Sequence, residues 1–356
     1  MSAPHPRTVS AVLPIKLTGR HYADNLARTD VLLSSLAHYL NPGTLAEIVV
    51  VTPDDELPLV EPLAHTHAAL NLRFIGEADC FPEFKARTRP WQVRPWQRQQ
   101  IIKLAAPSLT TADVVLTLDP DVLALRQMGR EDLVPGGRAI MLPEARTVHS
   151  TWWRDSAHLL GVTPDLDLPG IGVTPALLDR EILIELQGRI AHRVGRPWVD
   201  ALLTTYSDWT EYTLYLLAAR HLGMLDSRHL VPPPGSTQLQ VPTELSVWSA
   251  AEATPTKVAT LLASGAQGLF GIVQSNTGLD AATVAQEASH FFPINRTTAG
   301  SATGEPRPAP RWKERARTGS RLAAAAAYRA RRSAKLVPAS PRTGAAHRPH
   351  GALSML

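Results

Sequence analysis

Val114-Val115-Leu116-Thr117-Leu118 runs without a break into Asp119-Pro120-Asp121, and then into Val122-Leu123-Ala124-Leu125. An apolar, β-branched run with no polar alternation reads as a strand buried on both faces, as in parallel sheets. The same signal recurs outward from it. Thr8 to Leu13 is a short apolar strand that stops at Pro14, and Glu47 to Thr52 (EIVVVT) is closed by Pro53-Asp54-Asp55. Leu72 to Ile75 is weaker, and Gly268 to Val273 (GLFGIV) is a late strand. Helical spacing fills the intervals: Leu26, Leu33, Leu36, Ala37 and Leu40 before Asn41-Pro42-Gly43, then Trp96 to Ala106 stopped by Pro107. Pro175 to Arg193, Thr210 to Leu222 and Asp280 to Phe291 read as further helices. Strands alternating with helices predict an α/β domain with a mainly parallel sheet flanked by helices. Such sheets bind ligands beyond the carboxyl ends of their strands, where Asp119 and Asp121 fall.

The 356 residues are 44% hydrophobic and 19% charged, with 6 Phe, 6 Tyr and 8 Trp, enough to build a sizeable core. A lone cysteine, Cys80, excludes an internal disulfide framework and a four-cysteine zinc site. No apolar stretch reaches the roughly 18 residues of a membrane span, and the run after Arg7 is too short for a secretory signal. The expected compartment is therefore the cytoplasm. The net charge of +4 divides unevenly: residues 300–356 carry 12 Lys and Arg against 2 acidic residues, leaving 24 basic and 30 acidic groups elsewhere. The basic character belongs to the end of the chain, so no specific nucleic-acid partner is expected of the globular part.

Two carboxylates one residue apart at a strand end repel each other, and desolvation adds to that cost. A divalent cation relieves both, since Mg²⁺ or Mn²⁺ takes one or two carboxylates and fills its shell with water and phosphate oxygens. The bland alternative is an acidic β-turn built on Pro120. The chain has no G-x-x-x-x-G-K-[ST] phosphate loop and no G-x-G-x-x-G dinucleotide turn, which disfavours an ATPase of that type or an ordinary NAD enzyme.

Val114 to Leu125 resembles the Asp-x-Asp signature of nucleotide-sugar glycosyltransferases with the A-type (GT-A) fold. The chain is also similar to a bacterial family of uncharacterised glycosyltransferase-like proteins. It shares a first strand followed by a basic residue (VLPIK, Lys16), a W-x-R-Q-Q-x-x-K-L segment (Trp96 to Leu104) and S-D-W-T-E-Y-x-x-Y (Ser207 to Tyr215). This resemblance covers about residues 8–295. It implies transfer of a sugar from a nucleoside-diphosphate donor to a glycan, lipid or small-molecule acceptor. It further implies Mn²⁺ or Mg²⁺ on Asp121 and Asp119 as a Lewis acid at the leaving phosphate, with one carboxylate free to contact the ribose instead.

Under that reading Lys16, Gln100, Lys103, Asp119, Gly170, Gly172 and Trp209 are candidate donor-binding residues. Gln100 and Lys103 share a helix face, and an ammonium there suits a diphosphate; the alternative is a solvated surface face. Leu168 to Pro175, with Gly170 and Gly172, has the small residues a close backbone approach needs, or is an ordinary loop. Glu211, or Asp208, is the candidate general base, with Trp209, Tyr212 and Tyr215 offering apolar faces to a sugar. Ser207 or Asp208 alternatively caps the helix that follows. Gln274-Ser275-Asn276 ends the late strand and is a further candidate contact, and His149, His221 or His290 is available to complete a metal shell.

The expected division is residues 1–296 as the catalytic domain and 297–356 as a basic Ala/Arg/Pro-rich tail, disordered or transiently helical. The tail's arginines suit peripheral contact with an anionic membrane face, or else are simply solvated. Two rival readings stay open: an Asp-dependent phosphohydrolase, and a non-catalytic nucleotide-sugar-fold binding module.

Overall fold

Five strands form the central sheet: β1 (Val9–Pro14), β2 (Ile48–Thr52), β3 (Leu72–Gly76), β4 (Val114–Thr117) and, after the short β5 (Val122–Ala124), β6 (Ala176–Asp179). A computed structural model describes residues 6–297 apart from 20, 21, 23, 87–94, 172, 173, 206, 207, 232–240 and 266. The expected tail, from 298 onward, lies outside the described residues, as do Gly172 and Ser207. Strand order is β3-β2-β1-β4-β6, with the first four parallel and β6 antiparallel to β4.

Helices cover both faces of this sheet, which is why its strands are continuously apolar. Val12 of β1 and Val115 of β4 point into one core with Ile101, Leu186 and Leu214. Their neighbours Ala11, Leu13, Val114 and Leu116 point into the other with Leu32, Leu33 and Leu36. Val114, Val115 and Leu116 are all 0% exposed, each worth about 1.5–3 kcal/mol of burial. The helices that matter for the site are α1 (Asn25–Tyr39), α2 (Pro95–Leu104), α3 (Ser150–Leu160), α4 (Arg180–Val194) and α5 (Glu211–His221). A smaller core gathers Leu123, Leu125, Val258 and Val284 around β5 and the antiparallel β7 (Phe270–Ile272), with helices Pro255–Ala263 and Ala281–Ala288.

The segment expected as one helix from Pro175 to Arg193 is instead a strand followed by a helix. Ala176–Asp179 pairs with β4, and the Asp179 carboxylate then caps α4 by accepting from the Glu181 and Ile182 N–H groups at 2.9 and 3.2 Å. Four apolar residues are too few for periodicity to separate strand from helix, and the open edge of β4 decides. Pro107 ends α2 as expected, yet it also opens the short helix Ala106–Leu109. Among the described residues no helix is long and apolar enough to cross a membrane.

Candidate active site

β1 and β4 are neighbours, but the chain winds outward from β1 through β2 and β3 before it returns to β4. Their carboxyl ends therefore flank the point where the direction of winding reverses, the place an open α/β sheet offers a ligand. Lys16 follows β1 there, and the acidic pair follows β4. Asp119-Pro120-Asp121-Val122 is a β-turn, closed by the Val122 N–H donating to the Asp119 carbonyl at 3.1 Å, with proline at its second position. The bland reading is thus true of the backbone, and what the turn does is present two carboxylates side by side.

The two carboxylates meet different surroundings. Asp119 faces the Lys103 ammonium, 2.9 and 3.0 Å from its two oxygens. Lys103 comes from α2 and is 2% exposed; it also reaches Glu211 at 3.2 Å and donates to the Thr174 hydroxyl at 3.0 Å. Burial alone would lower the Lys103 pKa, but Asp119, Tyr212 and Glu211 outweigh it and hold the ammonium well above its ordinary range. Glu211, the first residue of α5, is 1% exposed, and burial raises its carboxyl against the pull of Lys103. Gln100 sits one turn before Lys103, and its side-chain oxygen accepts from the Glu211 backbone N–H at 2.9 Å. A chain of hydroxyls completes the floor. Tyr212 bonds Thr174 at 2.6 Å and Thr117 of β4 at 2.9 Å.

Asp121 is the less compensated of the pair. It is half-buried and accepts one long bond, 3.3 Å, from the Ser275 N–H. Burial and the Asp119 charge push its carboxyl up to about 6, against Ser275, Arg28 and Lys103. Arg28 was not among the expected residues. It projects from α1, is 3% exposed, and donates to the Val273 carbonyl at 3.0 Å and to that of Leu279. These bonds bracket Gln274-Ser275-Asn276 and hold that loop against Asp121. The signal was in the sequence: an arginine one turn before Leu32, on the buried side of α1, needs a partner.

The site thus gathers Gln100, Lys103, Asp119, Asp121 and Glu211, with Ser275 from the late strand end. Lys16 stands at the adjacent strand end, its ammonium 5.7 Å from the Tyr22 ring centroid. Other expectations need correction. Trp209 is 0% exposed and belongs to the core, so it offers no face to a sugar. Tyr212 and Tyr215 are buried likewise, the latter donating to or accepting from His229 at 2.6 Å. Lys103 is held between Asp119 and Glu211, and Glu211, at 1% exposure, is poorly placed to take a proton from an incoming hydroxyl. Asp208 is exposed, its backbone N–H donating to Asp155 at 2.9 Å, and the cap of α5 is Thr210, whose hydroxyl accepts from the Thr213 N–H at 3.1 Å. Gly170 is needed for packing: a side chain there would fall on the Trp153 ring. Among the described residues no three His, Cys, Asp or Glu side chains converge on a possible metal position, so none of the three histidines joins the acidic pair.

The donor set fits a hard cation of the Mg²⁺ or Mn²⁺ kind held by one or two carboxylates with water and ligand oxygens. It does not fit an ion needing a full protein cage.

No curated protein matches the chain. Among solved structures it is similar to mouse xyloside xylosyltransferase 1 in its apo form, at 15% identity over 66% of this chain and 87% of that one, TM-score 0.43. The bifunctional glycosyltransferase WbbM matches at 14% identity over 82% of this chain and 51% of that one, TM-score 0.46. The galactosyltransferase LgtC, bound to donor and acceptor sugar analogues, matches at 14% identity over 79% and 95%, TM-score 0.42. A family model described as "Family of unknown function (DUF6492)" matches residues 6–296, and the chain belongs to that family.

Proposed function

We propose that the protein is a glycosyltransferase of the GT-A type. It moves a sugar from a nucleoside-diphosphate donor to a glycan, lipid or small-molecule acceptor, with Mn²⁺ or Mg²⁺ at the acidic pair. One observation carries this reading: Asp121 lies in the turn that follows β4 at the reversal point of the sheet, half-buried, and among the described residues its carboxylate accepts one hydrogen bond, a long one from the Ser275 N–H. The sequence resemblance supplies the substrate class.

Each residue then has a task. Asp121 is the principal metal ligand, and Asp119 the second ligand or the ribose contact. A cation held by these carboxylates would supply Lewis-acid neutralisation of the charge on a departing diphosphate. Lys103 acts as a positioning residue: its ammonium, held by Glu211, fixes the Asp119 carboxylate, and Gln100 fixes Glu211 through its backbone. Ser275 and the loop clamped by Arg28 hold Asp121 in place.

The test is a thermal-shift screen of UDP-, GDP- and dTDP-linked sugars with and without Mn²⁺. A ligand that binds the folded state raises the melting temperature with occupancy. One donor is expected to stabilise the wild type only with Mn²⁺, and Asp121→Asn is expected to abolish that increment. If no nucleotide sugar stabilises the protein at millimolar concentration, the proposal fails.

A further inference from the structure

With Trp209 buried, the aromatic surface near the site lies elsewhere. Trp96 is 39% exposed at the start of α2, and its ring centroid is 6.0 Å from that of Trp152 at the start of α3, the planes tilted by 41°. His149 stacks on Trp152 at 3.8 Å and 15°, and Val148 beside it is 61% exposed. Side chains carrying this much apolar area are seldom left in solvent together without a ligand to cover them.

Both helices lead from these rings to contacts with α5, whose first residue is Glu211. Trp96, Gln100 and Lys103 occupy positions i, i+4 and i+7 of α2, one face of the helix, and the last two touch Glu211. Seven residues of helix place Trp96 about 10 Å along the axis from Lys103. On α3, Trp152 shares its face with Asp155 and Ser156, which bond the Asp208 N–H at 2.9 Å and the Thr213 hydroxyl at 2.6 Å. The rings therefore sit at the outer end of the same wall whose inner end holds Asp119.

We propose that Trp96 and Trp152, with His149 behind them, form a saccharide-binding surface for the acceptor, one that takes a pyranose ring distant from the reacting one. This rests on the glycosyl-transfer reading above. A pyranose presents a C–H face to an aromatic ring and hydroxyls at its rim. Thr151 is exposed beside Trp152, and Gln99 is half-exposed one turn after Trp96, so hydrogen-bonding groups border the rings. A lipid or protein contact would instead favour a continuous apolar patch. The separation from Lys103 calls for a ligand longer than a single sugar.

The experiment uses the full chain, no nucleotide, and a panel of soluble gluco-, xylo- and N-acetylglucosamine oligosaccharides with their monosaccharides, read by calorimetry or ligand-observed NMR. At least one oligosaccharide is expected to bind more tightly than its monomer. Trp96→Ala is expected to weaken it about tenfold or more, and Trp96→Phe to restore most of the loss. The melting temperature of Trp96→Ala checks that the variant is folded. Binding to no member of the panel, affinity unchanged in Trp96→Ala, or Trp96-dependent binding to anionic phospholipid vesicles in place of saccharide each overturns the inference. Nucleotide-sugar stabilisation is measured separately on the wild type. Its absence with Trp96-dependent saccharide binding intact would remove the transferase reading and leave a saccharide-binding protein.

Discussion

Replacing Lys103 by methionine keeps most of the side-chain volume and removes the charge that two carboxylates share. The ammonium lies 2.9 Å from Asp119 and 3.2 Å from Glu211, and is 2% exposed. Deleting one partner of a buried ion pair costs about 3–5 kcal/mol, because the charge left behind has lost its compensation. Asp119, 26% exposed at its side chain, regains some hydration, whereas Glu211 at 1% does not. The expected loss is therefore near the lower end, about 3 kcal/mol in urea unfolding near neutral pH. The pH dependence follows from the sign of the Glu211 shift. Burial already raises this carboxyl above its ordinary 4.5, and Lys103 opposes that rise. Without the lysine it rises further, and a group whose folded pKa exceeds its unfolded one loses stability as pH climbs through that interval. The deficit against wild type should thus shrink as pH falls toward 4.5. Glu211→Gln in the same background should recover part of it by removing the orphaned charge. A loss under about 1 kcal/mol, the scale of an exposed pair, or a deficit that does not change with pH, would refute the reasoning.

Asp121→Asn should raise the melting temperature of the ligand-free protein. Its carboxyl is pushed from 3.8 up to about 6, so the charged form opposes folding increasingly as pH passes through that window; the gain should be present at pH 8 and absent below 3.8, by scanning fluorimetry. Arg146→Met should loosen the segment Pro164 to Pro169: the buried guanidinium donates to the Pro164, Asp165 and Pro169 carbonyls and lies 4.4 Å from the Trp153 ring centroid. Faster amide exchange confined to that segment and α3, with a loss of about 2–3 kcal/mol, is the expected result. Gly170→Ala should cost about 1–3 kcal/mol in denaturant unfolding, because the added methyl meets Trp153.

The parallel sheet was legible because burial on both faces writes itself as uninterrupted Val, Ile and Leu at positions 48–51 and 114–116. The acidic pair was legible because carboxylates directly after such a run stand out. The antiparallel β6 was not, since Ala176-Leu177-Leu178 has no period of its own and is fixed by the free edge of β4. The helix Ser150–Leu160 also went unread: it turns Trp153 into the core and leaves Trp152 half-exposed. In Trp209-Thr210-Glu211-Tyr212, Glu211 lies against Lys103 near the acidic pair, whereas Trp209, expected to face a ligand, fills the core. Sequence gives no depth, and only three-dimensional packing distinguishes an aromatic that meets a ligand from one that fills the interior.

The clamp formed by Arg28 joins residues separated by about 250 positions, since its guanidinium holds the carbonyls of Val273 and Leu279. Asp121 lies between Arg28 and these carbonyls in the chain and leans on Ser275. During synthesis, then, the four parallel strands can assemble long before the pocket has its wall. A nascent chain released short of Leu279 would carry a completed sheet without the carbonyl that anchors this loop, so fragments truncated at that point should fold in part and leave Asp121 without its wall.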